Sequence, residues 1–592
     1  MINENIKIIQ NKLIKTNIGA YIIPTSDYHA SEYVCDYFKE RVFISGFTGS
    51  AGVVLITKEH AYLFADGRYW IQAAKQIEGT CIELIKQGDI GAPTLDELIV
   101  KSLKTGESIG VNARCISITE GKKYAEMARK NKGQLIDCDF VNDVWKDRPS
   151  LPKSKLWILD STKYVGETTA SKIKRIKKIM KENHCQTHVI TTLDDIAWVL
   201  NLRANDIPSN PVFLSYLLIE SSKTNLYIDE SKLTNEVRSY LKENNVHIRD
   251  YNKLEQKMER LSGKVLLDEN KVNYSLYMHL SAKSVNISSP TVLMKSIKNK
   301  TEIKNLKIAH IKDGVALTKF MYWLKNNIGK ERMTEVTAED YLYRLREQQE
   351  NYIEPSFGTI CAYGANAAMM HYSANRVNEV ELKPKGFLLV DSGGHYYEGT
   401  TDITRTFVLG DITQEEKHWF TVILQSMLNL SEATFMEGCN GQNLDILARG
   451  PVWDALTDYK CGTGHGISYL LNVHEAPNGF RWKKVSDRND SGIFVPGQVT
   501  SDEPGVYFEG KFGIRHENDI LCVDKGTTEW GHFLGFETIS LVPIDLDGIE
   551  VSELTTKQKE ALNRYHKEVY KKISPYLTNE EKTWLKKYTR EI

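Results

Sequence analysis

The chain has 592 residues, with 76 Lys+Arg against 77 Asp+Glu and a formal net charge of −1. That balance excludes the basic footprint of a nucleic-acid binder and electrostatic attachment to a membrane, and the length predicts two to four domains. Nine cysteines (35, 81, 115, 138, 185, 361, 439, 461 and 522) occur singly with no CxxC, against a disulfide framework or zinc ribbon and for a reducing compartment. Residues 1–17 read as an amphipathic helix without the apolar core of a signal peptide. No run of 18 apolar residues occurs. The expected location is cytoplasmic, with no membrane or nucleic acid among the partners.

Residues 1–150 alternate helical and strand patterns: a helix over 6–13, a strand over 20–23 ended by Pro24, and strands over 52–56 and 61–64 joined by a polar turn at 58–60. This predicts an α/β domain. Pro149 and Pro152, among the charges of 147–153, mark a linker. A second α/β domain is expected over 151–295. It opens with a helix that sets Ile173, Ile176 and Met180 against a lysine-rich face, read as solvated surface. Its segments 195–203, 212–219 and 225–229 repeat the order of 41–47, 52–56 and 61–64, so the two domains look like diverged copies of one fold. The third domain, 296–592, begins with a helix from Thr301 carrying Ile303, Leu306, Ile311 and Val315. Its tail, about 551–592, reads as one docked helix with Leu562, Tyr565 and Val569 on a stripe, and without chemistry of its own.

The chemistry is concentrated in the third domain. Residues 387–407, FLLVDSGGHYYEGTTDITRTF, read as a hairpin. A register centred between Tyr396 and Tyr397 sets Asp391 opposite Asp402. Two carboxylates that close require a proton or a cation between them, unless the stretch is a loop whose aspartates cap turns and face water. Downstream, Cys461-Gly462-Thr463-Gly464-His465-Gly466 surrounds one histidine with glycines that permit close backbone approach. Glu503 follows an apolar strand and precedes Pro504-Gly505. The alternating segment 512–517 points Arg515 and Glu517 to one face. Four carboxylates and one imidazole offset the charge of two divalent cations, leaving about −1 with a bridging hydroxide. Oxygen-rich ligation with a single nitrogen favours Mn²⁺, with Co²⁺, Zn²⁺ or Fe²⁺ as alternatives. HExxH, the single-zinc protease motif, is absent.

The set DSGGHYYEGTTDITRT, GTGHG, SDEPG and GIRHEN resembles the metal-binding pattern of aminopeptidase P, in the creatinase/prolidase/methionine aminopeptidase group with its pita-bread catalytic fold. YIIPTSDYHASEY, SGFTGSAG, DGRYWIQAAKQ and NPVFLSY resemble the two N-terminal domains of its longer, three-domain members. The implied fold class is therefore multidomain, mixed α/β and α+β, with two related α/β domains ahead of a pita-bread domain. The resemblance implies that Asp391, Asp402 and Glu517 hold one ion and that Asp402, His465, Glu503 and Glu517 hold the other. It implies substrate or catalytic roles for His371 and His474, and a place near the site for Arg515. Longer members usually read HGTGHG, and here the first histidine is Cys461, a weak donor that puts the substrate contact there in question.

The activity so implied is removal of the N-terminal residue from peptides with proline second, through attack by a hydroxide bridging two ions, with Glu503 as general base and proton shuttle. His371 or His474 would donate to the developing oxyanion. A prolidase restricted to Xaa-Pro dipeptides is the alternative enzyme. A non-catalytic binding protein of the same fold is the alternative outside enzymes. The resemblance also implies a homodimer, with Trp453 read either as an interface or as a core residue.

Overall fold

A strand that reads Ile-Gly-Ala-Tyr-Ile-Ile can be buried on both faces only if sheet neighbours flank it and helices cover it. In the computed structural model, which describes residues 1–485 and 488–592, this strand, Ile18–Pro24, lies inside a six-stranded sheet. The sheet order is Ile82–Lys86, Ala61–Ala65, Val53–Thr57, Ile18–Pro24, Ser108–Val111, Leu135–Asp137. Successive pairings run parallel, antiparallel, antiparallel, parallel, parallel. A second six-stranded sheet has the order Val246–Asp250, Thr224–Ile228, Ser215–Glu220, Thr187–Ile190, Lys264–Leu267, Lys283–Asn286, with the same sequence of pairings. The repeat inferred from residue order is thus a repeat of topology. Both sheets fall in one compact unit, 1–160 with 167–292, and the remaining chain, 161–166 with 293–592, forms another.

The second unit starts from a strong helix signal. Asn299 caps the helix Lys300–Asn327 by accepting from Thr301 and Glu302, and Glu302 accepts the Asn299 N–H in return, a capping box. An antiparallel sheet of six strands has the order Thr434–Met436, Gly531–Thr538, Asn518–Thr528, Val499–Asp502, Gly464–Ile467, His474–Phe480. A smaller antiparallel sheet pairs Phe387–Ser392 with both Ile360–Tyr363 and Ile403–Val408. Phe387, Phe420, Ile423, Val506, Ile514 and Leu562 share one core, which ties the hairpin, the helix Gln414–Ser431 and the tail together.

Two expectations need correction, and one open alternative is decided. The hairpin register is two residues off. Asp391 pairs with Thr404 and Ser392 with Ile403, and a tighter turn joins Tyr396 to Gly399 across Tyr397 and Glu398. Gly399, at φ 135°, takes the positive dihedral that this turn needs, and it moves the centre one residue toward the C-terminus. Asp402 is therefore the diagonal neighbour of Asp391, on the same face but not opposite. The tail is two helices, Thr556–Ile573 and Asn579–Tyr588, separated at Ser574–Tyr576, where Pro575 interrupts the helical ladder. Trp453 is 37 % exposed, donating from Nε1 to Asp458 Oδ1 at 3.0 Å and meeting Trp482 edge-on, so it is not a core residue.

Candidate metal centre

Each candidate ligand sits at a strand end or just beyond it. Asp391 is the penultimate residue of the strand Phe387–Ser392, Asp402 precedes Ile403–Val408, and His465 lies in Gly464–Ile467. Glu503 follows Val499–Asp502, and Glu517 occupies the break between Phe512–Arg515 and Asn518–Thr528, so the alternation expected through 517 stops at Arg515. The glycines of the histidine loop serve strand packing. A Cβ on Gly464 would collide with the Ser501 carbonyl, and one on Gly466 with the Glu475 carbonyl. The close approach anticipated there is to the two flanking strands.

One donor atom each from Asp402, His465 and Glu517 fall within 4.8 Å of one another. His465 Nε2 stands 3.5 Å from Asp402 Oδ2 and 3.5 Å from Glu503 Oε1. Its Nδ1 is 3.0 Å from the Gly466 carbonyl, which as an acceptor fixes the proton on Nδ1 and leaves Nε2 to face the carboxylates. Asp391 turns differently. Its Oδ2 accepts from Arg515 Nη2 at 2.5 Å, and its Oδ1 is buried without a hydrogen-bond partner.

The electrostatics follow from this crowding. Burial, and then the charge of Asp391, holds the Asp402 carboxyl well above the usual carboxylate range. Burial, and then Asp402, does the same to Glu517. Each prefers a proton, or a cation in its place. The donor chemistry fits divalent cations: several carboxylates, one oriented imidazole nitrogen, and a buried carboxylate oxygen that no protein donor satisfies.

Of the remaining candidates, the His474 ring lies 4.1 Å from that of His465, edge-on at 80°. His371, half-buried, adjoins Tyr372, whose hydroxyl donates to Glu335 Oε2 at 2.7 Å and pins that loop. Arg515 is engaged from three sides, donating to Asp391, to Thr404 Oγ1 at 3.1 Å and to Tyr507 at 2.7 Å. The Cys461 carbonyl accepts from Arg449 at 3.1 Å. Burial, and then Glu503, pushes its thiol up to about 11, so at neutral pH it is uncharged.

Several supporting residues have no role assigned from the sequence, although Thr404 and Arg405 lie inside the stretch DSGGHYYEGTTDITRT. Thr404 Oγ1 donates to Glu517 Oε2 at 2.6 Å. Arg405, fully buried, donates to the Glu517 carbonyl and to the Tyr565 hydroxyl, the latter at 2.8 Å. The C-terminal tail, expected to be inert, thus braces the backbone of a candidate ligand. Asp519 accepts the Asp402 N–H at 3.1 Å. It lies two residues beyond Glu517, and that spacing was the one available signal for it.

Comparison with known proteins agrees along the whole chain. The Creatinase/Prolidase N-terminal domain matches twice, at residues 6–144 and 147–302. Metallopeptidase family M24 matches 304–524, and the C-terminal region of that peptidase matches 532–592. A probable Xaa-Pro aminopeptidase P of Botryotinia fuckeliana is 37% identical, covering 99% of this chain and 92% of its own. Another, from Talaromyces marneffei, is 37% identical over 100% of this chain and 92% of its own. Among solved structures, an X-prolyl aminopeptidase from Caenorhabditis elegans, described as a cytosolic enzyme with a di-nuclear active site, superposes with a TM-score of 0.93 at 32% identity, covering 97% of this chain and 95% of that one. The chain belongs to the Xaa-Pro aminopeptidase P branch of metallopeptidase family M24.

Proposed function

We propose that this chain is a metal-dependent aminopeptidase that removes the N-terminal residue from peptides with proline in second position. The observation that carries the reading is the buried acid cluster around His465, where Asp402 and Glu517 stand within 4.8 Å with too little positive charge to neutralise them. Asp391, Asp402, His465, Glu503 and Glu517 would hold two divalent ions. The oxygen-rich set favours Mn²⁺ over Co²⁺, Zn²⁺ or Fe²⁺. When bound, the two ions supply Lewis-acid activation of water and of the scissile carbonyl.

The chain's own groups do the rest. Glu503, with a side chain 21% exposed, reaches both the cluster and solvent. Its Oε1, which accepts from Ser501 Oγ at 3.3 Å, takes a proton from the attacking water and delivers it to the proline nitrogen as that leaves. His474, whose ring meets that of His465 edge-on, and His371 would donate to the carbonyl oxygen as it becomes anionic. The substrate's free ammonium is drawn to the same carboxylates, which confines cleavage to the first residue. Arg515 is occupied by Asp391, Thr404 and Tyr507, so we assign it to holding Asp391 rather than to gripping substrate.

Chelator-stripped protein should lose activity on an Xaa-Pro-Yaa tripeptide and regain it with Mn²⁺; full activity after stripping refutes the reading. Cleavage of Xaa-Pro dipeptides alone would make the enzyme a prolidase. Glu503→Ala should lower kcat by about 10²- to 10⁴-fold, and an unchanged rate would remove Glu503 from the mechanism. The description of the C. elegans enzyme as cytosolic supports a cytoplasmic assignment; among the described residues of this chain no helix is long and apolar enough to cross a membrane. A homodimer with the partly exposed Trp453 at its interface completes the proposal, and light scattering of the Trp453→Ala protein checks it.

A further inference from the structure

Behind the candidate centre lies a buried pair that the reaction described above does not use. His310, on the helix Lys300–Asn327, is 2% exposed, and Asp519, in the strand Asn518–Thr528, is 0% exposed. His310 Nδ1 stands 2.8 Å from the Leu306 carbonyl and Nε2 stands 2.8 Å from Asp519 Oδ2. Both partners are acceptors, so both ring nitrogens carry protons. Burial alone would lower the pKa of this histidine, but the hydrogen bond to Asp519 overcomes it and leaves it raised.

The same Oδ2 accepts the backbone N–H of Asp402 at 3.1 Å. Asp402 precedes the strand Ile403–Val408, so no ladder bond takes that N–H. The Asp519 backbone is itself anchored, donating to Ser540 Oγ at 2.8 Å. A helix on one side and a sheet on the other therefore converge, through a single carboxylate, on the peptide unit that carries Asp402.

We propose that His310 and Asp519 are a positioning pair that sets the Asp402 carboxylate for divalent-cation binding. The inference rests on the metal-site reading above and deepens it. Ligand geometry must hold to a few tenths of an ångström, and partners behind the ligands commonly govern affinity. Position and charge make opposite demands at His310. If only charge mattered, removing a cation from beside an acid cluster would tighten metal binding; if position matters, removing it loosens binding.

The test is calorimetric titration of the chelator-stripped full chain with Mn²⁺, alongside thermal melting of the metal-free protein. Wild type should bind two ions. His310→Ala should weaken binding about 10- to 100-fold, and Asp519→Leu at least as much. His310→Gln, whose amide nitrogen reaches close to the place of Nε2, should recover most of the affinity. His310→Ala binding as tightly as wild type, or tighter, overturns the proposal. So does a lower melting temperature with an unchanged Kd, the mark of a purely structural pair. Wild type that takes up no Mn²⁺ overturns the metal-site reading and this inference with it.

Discussion

In the first unit Asp206 is 3% exposed and is held by the Lys232 ammonium, with the N–H groups of Leu214 and Ser154 on its oxygens at 2.8 and 3.2 Å. In the second unit, the equally buried Asp402 and Glu517 share their cluster with Asp391 and Glu503, and the guanidinium that enters it, that of Arg515, is taken up by Asp391. Both arrangements bury carboxylates, but only the first supplies each with its own base. A paired buried acid reads as architecture, because the pair roughly breaks even against its desolvation and serves to fix a conformation. An unpaired cluster has no such balance within the protein. What marks the centre is a shortage of positive charge more than an abundance of acids.

The largest effect should come from neutralising one acid in each setting. Asp206→Asn leaves Lys232 buried without its counter-charge and should cost about 3–5 kcal/mol. Asp402→Asn, in metal-stripped protein at neutral pH or above, removes a carboxyl that folding must either protonate or bury charged beside Asp391, and should raise stability while abolishing the gain on adding Mn²⁺. Hydrogen exchange, which resolves the two units separately, measures both changes. If both substitutions shift stability in the same direction, the contrast between paired and unpaired acids is wrong.

Glu40 shows the principle at work inside the first unit. Arg148 donates to Glu40 Oε1 at 2.5 Å and to Asp139 Oδ2 at 3.1 Å, so two acids divide one base. Burial, and then Asp139, pushes Glu40 up to about 7 despite the arginine. Its folded value lies above its unfolded value, so the folded state holds the proton more tightly. The stability that Glu40 contributes is then greatest below about pH 4.5 and is lost as pH rises through about 7. The full span is about 3 kcal/mol at 1.36 kcal/mol per unit. Glu40→Gln should flatten this slope in denaturation followed from pH 5 to 8, and an unaltered slope would assign it to other groups.

How much of this was legible in the chain depends on the range of the interaction. The duplicated sheets were readable because strand order repeats locally: Val53–Thr57 with Ala61–Ala65, and Ser215–Glu220 with Thr224–Ile228, are each a largely apolar pair joined by a short polar turn. Asp391, Asp402, His465, Glu503 and Glu517 stood out because each carboxylate or imidazole abuts turn glycines or a strand end. The register failed by two residues because Gly393-Gly394 and Gly399 offer more than one turn, and the positive φ of Gly399 decides between them. His310, 209 residues from Asp519, and Tyr565, 160 residues from Arg405, left no local trace. Their roles arise from tertiary contact alone, and for Tyr565 the apolar stripe of its helix gave a sufficient reason for its presence.

The smallest effect is expected at position 461, where the resemblance to aminopeptidase P leads to the expectation of a histidine. A histidine at position 461 would offer a ring donor next to Glu503, whereas Cys461 offers a neutral thiol, pushed up to about 11 by burial and by that same glutamate. The thiol is a weak donor, so a substrate contact made through it would be worth less than a conventional hydrogen bond of about 0.5–1.5 kcal/mol. Cys461→His should therefore lower KM for proline-second tripeptides by roughly two- to tenfold, with Mn²⁺ content unchanged, in steady-state assays run beside metal analysis. The proposed ligand set does not include this side chain, because its donors come from strand ends on either side of the loop. A change in metal content with KM unaltered would instead make position 461 part of the centre, and the division between ligand cage and substrate contact would have to be redrawn.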